Sequence, residues 1–407
     1  MNKSISSHVP PELVRDFSVV TDPRMEPVAG GCPYKALAQM LDGKPRAFYA
    51  PEPGHRRPGN WVVSRAEDIR AVVQNADVYS SKGKAAFSAL LGETWDLLPL
   101  EVDGAIHAKY RALLEPELTP KKVDALIPAM EAFADGLLAR IKDGKECEFV
   151  QSLAQRYPVM VFLKLMGLPA DQLETFAAWA WSLLHGKDQT ERIDAAHAIN
   201  DYLVQAMKDA AALPADNTLV SKIVHGQIDG RALTDDEKIG YAYLLFVGGL
   251  DTVASSLGYY FRHLADDQAL QKQLREHPES IPAAIEEFLR LYGNVTTNRL
   301  AIQDNELAGV QIKAGDYVSF SYVTGSRDPL EVPNPDVFRL DRGNKPHLSF
   351  GAGKHRCMGS HVARVEMAIF MRKFLETIPQ FRIKPGTQPL VHGGGVFGIK
   401  EMHLSWD

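Results

Sequence analysis

The chain reads FGAGKHRCMG from Phe350 to Gly359. One cysteine, Cys357, ends this glycine-rich loop and stands directly before an apolar pattern that predicts a helix to about Ile378. Glycine lets a backbone adopt positive φ and approach a large flat ligand closely. The unpaired N–H groups at the start of a helix favour an anion, and they lower the pKa of a thiol placed there. The stretch therefore predicts a thiolate that can bind a metal through sulfur.

A free cysteine is most often a small buried apolar residue, and that is the alternative for Cys357 taken alone. The complete loop, however, resembles the haem-binding signature of the cytochrome P450 family, Phe-x-x-Gly-x-x-x-Cys-x-Gly, at every fixed position. The resemblance implies that Cys357 is the axial iron ligand of haem b (iron protoporphyrin IX). It also implies that Phe350 and Gly359 belong to the cofactor-binding loop. A thiolate ligand pushes electron density toward cleavage of the O–O bond.

Length and composition narrow the class of protein. The 407 residues can bury a large core, and their number alone suggests two or three domains. The formal net charge of −6 argues against nucleic acid as the main partner. Cys32, Cys147 and Cys357 are odd in number and widely spaced, so they provide neither a disulfide framework nor a CxxC metal pair. We expect a protein of the reducing cytoplasm.

The stretch from Met1 to Val20 contains prolines and mixed charges but lacks the apolar core of a secretory signal. It also lacks the N-terminal membrane anchor of the microsomal members of the P450 family. These features predict a soluble, bacterial-type protein with no membrane anchor, and we expect a monomer.

Apolar periodicity predicts a mainly α protein with a small β-rich region, which the resemblance implies is the cytochrome P450 fold. No linker-like stretch divides the chain, so we expect residues 1–407 to form a single domain. The helical body is predicted at 66–292 and 358–378, and the β-rich parts are predicted near 45–66, 299–320 and 381–406. The clearest helices are predicted at 124–141, 170–184, 193–211, 234–266 and 281–292, and the clearest strands at 47–50, 60–64, 299–302, 310–312, 317–320, 381–384 and 402–406.

The predicted helix at 234–266 opens with a capping box formed by Thr234 and Glu237. Between residues 238 and 262 its only charged residue is Asp251, and a charge in apolar surroundings needs a partner or a function. A transmembrane span is the alternative, because the apolar stretch is about long enough. The two central glycines, the aspartate and the lack of a second span argue against it.

At the centre of this helix, Gly248-Gly249-Leu250-Asp251-Thr252 resembles the oxygen-binding groove of the family, Gly-x-x-[Asp/Glu]-Thr. Glycine weakens a helix locally, so the backbone can bend away from a ligand. Oxygen activation consumes two protons, and an acid beside an alcohol can relay them from solvent. We expect Asp251 and Thr252 to be catalytic. The alternative is a kinked core helix whose threonine bonds back to a carbonyl.

Three charged residues are expected to stabilise the fold. Glu287 and Arg290 match the Glu-x-x-Arg of the family and lie three apart, on one face of a helix. Arg342 fits the third position of the same network. An exposed ion pair is the alternative.

Haem propionates buried without cationic partners would be costly. His107 and Arg111 are four residues apart on a predicted helix, which places them on one face. The resemblance supports both as propionate ligands, together with Arg299 and His355. Without it, His107 and Arg111 would simply belong to a solvated helix face.

A basic group surrounds the cysteine loop and would attract an acidic electron donor. The chain has no flavin or nicotinamide domain, so the resemblance implies a [2Fe-2S] ferredoxin, served by its own ferredoxin reductase. Basic residues scattered at random over the surface are the alternative. The group comprises Lys345, His347, Lys354 and Arg356, with Lys109 and Arg111 expected nearby.

The whole chain resembles the bacterial camphor-hydroxylase class, most densely at 245–252 and 286–290. The substrate-binding residues that this resemblance implies are mostly apolar, so we expect a compact, hydrocarbon-like substrate with at most one or two polar groups. Each of them is otherwise an ordinary core residue. They are Phe87, Trp95, Leu244, Val247, Gly248, Val295 and Val396.

Two departures argue against camphor itself. The camphor enzyme has a tyrosine where Trp95 aligns, and an indole N–H can only donate a hydrogen bond. It also has an aspartate where Thr297 stands, at the edge of the haem. We expect another monoterpenoid or a norisoprenoid, such as a cyclic ether or an ionone.

The leading hypothesis is therefore an O2-dependent haem-thiolate monooxygenase that hydroxylates an unactivated C–H bond. A peroxide-driven haem peroxygenase is one alternative, although such enzymes lack the acid–alcohol pair. A haem-based binding or sensing protein without turnover is the other.

Overall fold

The computed structural model describes residues 7–19, 22–25, 28–51, 59–83, 87–343 and 347–407. These residues form two compact units, and each unit is assembled from separate stretches of the chain. The first unit combines the described residues of Met1–Lys84 with Pro282–Cys357 and Gly386–Met402. The second unit combines those of Ala85–Ile281 with Met358–Pro385 and His403–Asp407. The expectation of a single P450 domain stays a prediction.

Helices dominate the described chain, as the apolar periodicity predicts. In chain order they are α1 (Pro33–Leu41), α2 (Ala66–Gln74), α3 (Gly104–Leu114), α4 (Pro120–Asp124), α5 (Ile127–Ala139), α6 (Arg156–Met166), α7 (Leu173–His185), α8 (Gln189–Ala211), α9 (Leu219–Val224), α10 (Asp235–Gly249), α11 (Asp251–Asp266), α12 (Gln268–Glu276), α13 (Ile281–Leu291), α14 (Tyr322–Ser326) and α15 (Ser360–Thr377).

The strands are short and form several small sheets. In chain order they are β1 (Val28–Ala29), β2 (Ala47–Pro51), β3 (Gly59–Val63), β4 (Tyr79–Ser80), β5 (Glu146–Glu148), β6 (Gln227–Ile228), β7 (Arg231–Ala232), β8 (Thr296–Ala301), β9 (Asn305–Leu307), β10 (Val310–Ile312), β11 (Tyr317–Ser321), β12 (Arg382–Ile383), β13 (Leu390–His392), β14 (Gly398–Glu401) and β15 (His403–Ser405).

The first unit is organised by a five-stranded sheet of order β2-β3-β11-β8-β4. Side chains alternate across a strand, and in β8 the buried positions are Thr297, Arg299 and Ala301. On the neighbouring strand, Phe320 pairs with Thr297 and Val318 pairs with Arg299, and both are buried. The sheet therefore holds a hydroxyl and a guanidinium on one buried face.

The second unit contains most of the helices. Its aromatic core includes Phe149, Phe261, Phe374 and Phe381, whose ring centroids lie 4.5 Å (149–261), 4.7 Å (261–374) and 5.0 Å (374–381) apart. The pairs 261–374 and 374–381 are edge-to-face, an arrangement that contributes packing energy beyond the buried area. The strands β12 and β15 pair as predicted, and β15 also pairs with β5.

The capped helix predicted at 234–266 is confirmed, with an interruption. Thr234 accepts a hydrogen bond from the Glu237 N–H, and the Glu237 carboxylate accepts one from the Thr234 N–H. The helix breaks at Leu250, where φ is −96° and ψ is −59°, so it forms α10 and α11. Gly248 and Gly249 precede the break, and glycine disfavours a regular helix at this point.

Some short strands were not predicted individually, because two to four residues carry no readable period. They are β4, β5, β6 and β7, which interrupt the region predicted as helical, and β13 and β14 near the chain end. The predicted turn at 51–59 falls mostly on residues 52–58, outside the described residues. None of the helices in the described part of the chain combines the length and apolarity that a membrane crossing requires.

Candidate functional site

The cysteine loop is closed by a hydrogen bond between its ends, because the Cys357 N–H donates to the Phe350 carbonyl at 2.9 Å. Gly351 and Gly353 have φ of +68° and +72°, the left-handed region predicted for this loop. A Cβ added to Gly353 would lie 2.6 Å from the carbonyl oxygen of Val73 on α2. The loop therefore needs glycine at 353 for both its backbone angle and its packing. The Cys357 side chain is exposed.

Side chains and backbone anchor the start of the loop to the first unit. The Leu348 N–H donates to Ser326 Oγ at 2.9 Å, and the Ser349 hydroxyl donates to the Leu289 carbonyl on α13. His347 Nε2 lies 3.2 Å from Glu286 Oε2, and the side chain is only 5% exposed. His347 is thus a buried contact of α13, which corrects its assignment to the basic surface group.

The rest of that basic group is partly neutralised by nearby acids. Lys354 Nζ lies 3.8 Å from Asp77 Oδ1, and Lys109 Nζ lies 2.6 Å from Asp229 Oδ2. Arg356 is exposed, whereas Lys345 lies outside the described residues.

A buried cation with no carboxylate partner in the described part of the chain lies on β8. The Arg299 side chain is buried; its guanidinium donates to the Asn298 carbonyl at 2.9 Å and also interacts with the Tyr322 hydroxyl. Burial raises the pKa of Tyr322, which keeps that hydroxyl neutral. On the same face, Thr297 Oγ1 is buried and has no hydrogen-bond partner among the described residues. A guanidinium and an unpartnered hydroxyl on one face are suited to bind a carboxylate, and a haem propionate is such a group.

Glu287, Arg290 and Arg342 form the buried network that the sequence predicts. Glu287 Oε2 accepts from Arg290 Nε at 2.8 Å, and Glu287 Oε1 accepts from Arg342 Nε at 2.9 Å. The two guanidinium groups also donate to the carbonyls of Pro333, Asn334, Pro335 and Val337. Burial raises the pKa of Glu287, and the two arginines outweigh it, so the net pKa is lowered. The network fixes the path of residues 333–342.

In the second unit, the break between α10 and α11 places Asp251 at the start of α11. Asp251 Oδ1 lies 2.8 Å from Nε2 of His185, and Oδ2 is buried with no partner among the described residues. The Thr252 hydroxyl donates to the Gly248 carbonyl at 3.1 Å, the bond expected of a kinked core helix. This bond and a proton relay are compatible, because a hydroxyl that donates one bond can still accept another.

His185 was missed in the sequence because it is one of 13 histidines with no motif around it. It ends α7, and its ring lies 4.6 Å from that of Trp181. Only the packing of α7 against α11 brings it to Asp251.

The two residues predicted for propionates on α3 differ in their surroundings. His107 is buried, whereas Arg111 Nε lies 3.1 Å from the exposed carboxylate of Glu115. His355, on the cysteine loop, is partly exposed.

The predicted substrate-binding residues cluster within each unit. Phe87, Trp95, Leu244 and Val247 all belong to one apolar core of the second unit. The Gly248 Cα faces open space, since an added Cβ would meet nothing within 4 Å. In the first unit, Val295 and Val396 pair directly as an isolated antiparallel bridge.

Tyr243 is an aromatic residue of this core that was not among the predicted substrate-binding residues. The ring of Tyr243 lies 5.2 Å from Trp95 and 6.0 Å from Phe87, measured between centroids.

The donor set fits haem b: an exposed thiol on a glycine-rich loop, and a buried guanidinium beside an unpartnered hydroxyl. Comparison with known proteins also points to a haem protein. The cytochrome P450 family model matches residues 171–394. A probable cytochrome P450 127A1 of Sinorhizobium fredii is 39% identical over 99% of this chain and 97% of its own length.

Two solved P450 structures have a similar fold over 99% of this chain. The crystal structure of cytochrome P450 CYP101C1 has a TM-score of 0.88 and 31% identity, and it covers 99% of this chain and 100% of its own. That of CYP101J2 has a TM-score of 0.86 and 28% identity, with 99% and 100% coverage. The chain therefore belongs to the cytochrome P450 family, as a monooxygenase that uses haem b and resembles the camphor-hydroxylase class.

Proposed function

We propose that this P450 hydroxylates a small apolar molecule, a monoterpenoid or norisoprenoid, with O2 and electrons from a [2Fe-2S] ferredoxin. The observation that carries the substrate class is the apolar core of the second unit, where Phe87, Trp95, Leu244 and Val247 pack together. Apolar walls with few polar groups favour a compact hydrocarbon skeleton. The resemblance to the camphor-hydroxylase class supports the same size of substrate.

The residues that hold the cofactor follow from the family motif and from the donors described above. Cys357 binds the iron, and Arg299 stabilises a propionate. The bound haem supplies the iron chemistry that activates O2. The other cofactor-binding residues that we propose are His107, Arg111, Phe350, His355 and Gly359.

Asp251 and Thr252 manage the protons that this reaction consumes. The Asp251 carboxylate contacts Nε2 of His185 through Oδ1, while Oδ2 is available to pass a proton on. The Thr252 hydroxyl, anchored to Gly248, then receives it on the side of the helix opened by the missing side chain at 248. We place His185 before Asp251 in the relay, because His185 contacts Oδ1 and leaves Oδ2 for the next transfer.

Thr252→Ala tests the relay. We expect the variant to keep its haem and its affinity for substrate but to release peroxide instead of hydroxylated product, because the alcohol no longer delivers protons. The assay compares product and peroxide per electron supplied by reduced ferredoxin. Ser256→Ala is the matched control: its hydroxyl donates to the Thr252 carbonyl one turn along α11, and its loss should leave coupling unchanged.

The substrate class is tested with a panel of terpenoids, scored for the low-spin to high-spin shift of the ferric haem and then for hydroxylated products.

The outcomes separate the hypotheses. If Thr252→Ala still converts the supplied electrons into product as efficiently as wild type, the relay is refuted. Product formation with peroxide but none with reduced ferredoxin would instead support a peroxygenase. A spectral shift that never leads to product would support a binding or sensing protein.

The exposed Arg356 and Lys354 on the cysteine loop support an acidic electron donor. Exposed charges act mainly on the rate of encounter, and salt screens them. Reduction by ferredoxin should therefore slow as ionic strength rises, and Arg356→Gln should weaken that dependence. A salt-independent rate would argue against this surface.

A further inference from the structure

Tyr243 on α10 carries a buried polar atom that the described part of the chain leaves without a partner. Its side chain is 0% exposed, and its hydroxyl has no hydrogen-bond partner among the described residues. A buried polar group without a partner destabilises a fold, so a phenylalanine would fill the same volume at lower cost. Burial also raises the pKa of Tyr243, so the phenol keeps its proton and can donate it in a hydrogen bond.

The neighbouring tyrosine on the same helix behaves differently. Tyr241 is equally buried, but its hydroxyl donates to the Tyr110 carbonyl at 2.7 Å. The packing around α10 therefore satisfies a buried phenol where that phenol serves the fold. The hydroxyl of Tyr243 does not serve the fold in this way, so the case for a ligand role rests on where it lies.

The position of Tyr243 indicates what that role is. Its ring packs against Phe87 and Trp95, two residues that we propose for the substrate pocket. Val247, another of them, follows four residues later and so lies on the same face of α10.

We propose that Tyr243 donates a hydrogen bond to a carbonyl, ether or alcohol oxygen of the substrate, while Trp95 shapes the apolar wall beside it. This inference rests on the proposed function and makes it more specific: the substrate is a compact terpenoid that carries one oxygen acceptor. Tyr243 is then a specificity-determining residue.

The test uses haem-loaded wild type, Tyr243→Phe and Tyr157→Phe. Tyr157 is a matched control, because its hydroxyl is also buried without a partner among the described residues while its ring packs on Phe370, in another core. The probes are two pairs that differ by oxygen: camphor with bornane, and 1,8-cineole with p-menthane. Dissociation constants come from titrating the spin-state shift.

We expect Tyr243→Phe to weaken binding of the oxygenated probes roughly tenfold, because the buried oxygen loses its donor. Binding of the hydrocarbons should change by less than about twofold, and Tyr157→Phe should affect neither pair. The ligand-free Tyr243→Phe protein should melt at the wild-type temperature or above it, since the hydroxyl satisfies nothing inside the fold.

Equal effects of Tyr243→Phe on both members of a pair, or no effect, would overturn the inference and leave the proposed function standing. A ligand-free Tyr243→Phe protein that melts several degrees below wild type would overturn it too, because the hydroxyl would then have an internal partner. If wild type binds none of the four probes, the proposed substrate class fails and the inference fails with it.

Discussion

Glu287→Gln should destabilise the protein by about 3–5 kcal/mol, the cost of breaking a buried ion pair by removing one partner. Glu287 and Arg290 are 5% and 1% exposed, so solvent cannot replace what is lost. The carboxylate accepts four hydrogen bonds, from Arg290 Nε and Nη2, Arg342 Nε and the Arg339 N–H. Glutamine has one acceptor oxygen, and its NH2 group would face guanidinium donors. Two arginine cations would remain buried without a counter-charge.

This free energy converts to a melting temperature through the entropy of unfolding. About 2.1 cal/mol/K per residue gives about 0.85 kcal/mol/K for cooperative unfolding of all 407 residues. A loss of about 3–5 kcal/mol then lowers the melting temperature by roughly 4–6 °C. The network holds the carbonyls of residues 333–337, in the chain segment that precedes the cysteine loop. We therefore expect the thiolate haem spectrum to be lost in the same thermal transition as the fold.

The assay is thermal unfolding of the haem-loaded protein, followed by circular dichroism and by the Soret band at one scan rate. Arg339→Gln is the matched control on the same segment. Its side chain is exposed and pairs with the exposed carboxylate of Asp341, so its loss should cost under about 1 kcal/mol, or about 1 °C. A Glu287→Gln protein that melts within 1 °C of wild type would refute the reasoning.

Three further predictions concern the loop, the helix cap and the relay. Gly353→Ala should lower the free energy of unfolding by more than about 2 kcal/mol and weaken the thiolate spectrum, because φ is +72° and the new Cβ would meet the α2 backbone. Gly309→Ala is the control: φ is +81° but the space around it is open, so it should cost only about 1–2 kcal/mol in the same melting assay. The Arg231 side chain lowers the pKa of Glu237 to about 2, so this carboxylate stabilises the fold fully above pH 4.5 and loses its effect as pH falls through 2. The stability difference between wild type and Glu237→Gln, measured by urea unfolding, should therefore shrink by about 1 kcal/mol between pH 6 and pH 2, since Arg231 is exposed and solvent screens the pair. A constant difference would contradict this prediction. His185→Leu should slow ferredoxin-driven hydroxylation about tenfold without changing substrate affinity, whereas His197→Leu, at an exposed site on α8, should change neither.

Local patterns in the sequence predicted several features of this structure because their physical causes are local. The capping box at the start of α10 needs only residues three apart, and it formed as predicted. Gly351 and Gly353 adopt the positive φ that was expected of the cysteine loop, whereas Gly359 has φ of −77°. The ion pair of Glu287 and Arg290 follows from helical spacing.

Contacts between distant parts of the chain were beyond local patterns. Nothing near residues 146–148 indicates that they pair with residues 403–405, since the partner strand lies more than 250 positions away. His347 has a basic side chain in a basic stretch, so only its burial against Glu286 revealed that it is no surface charge.

The sequence by itself determined the family, because the cysteine loop and the Gly-x-x-Asp-Thr pattern are recognisable from residues that are close along the chain. The tertiary structure alone decided which groups those residues meet. The packing of α7 against α11 supplied His185 to Asp251, and the helix core around Trp95 enclosed the Tyr243 hydroxyl with no partner among the residues that the structure describes. Burial and hydrogen-bond partners depend on the whole packed chain, and no window of sequence contains them.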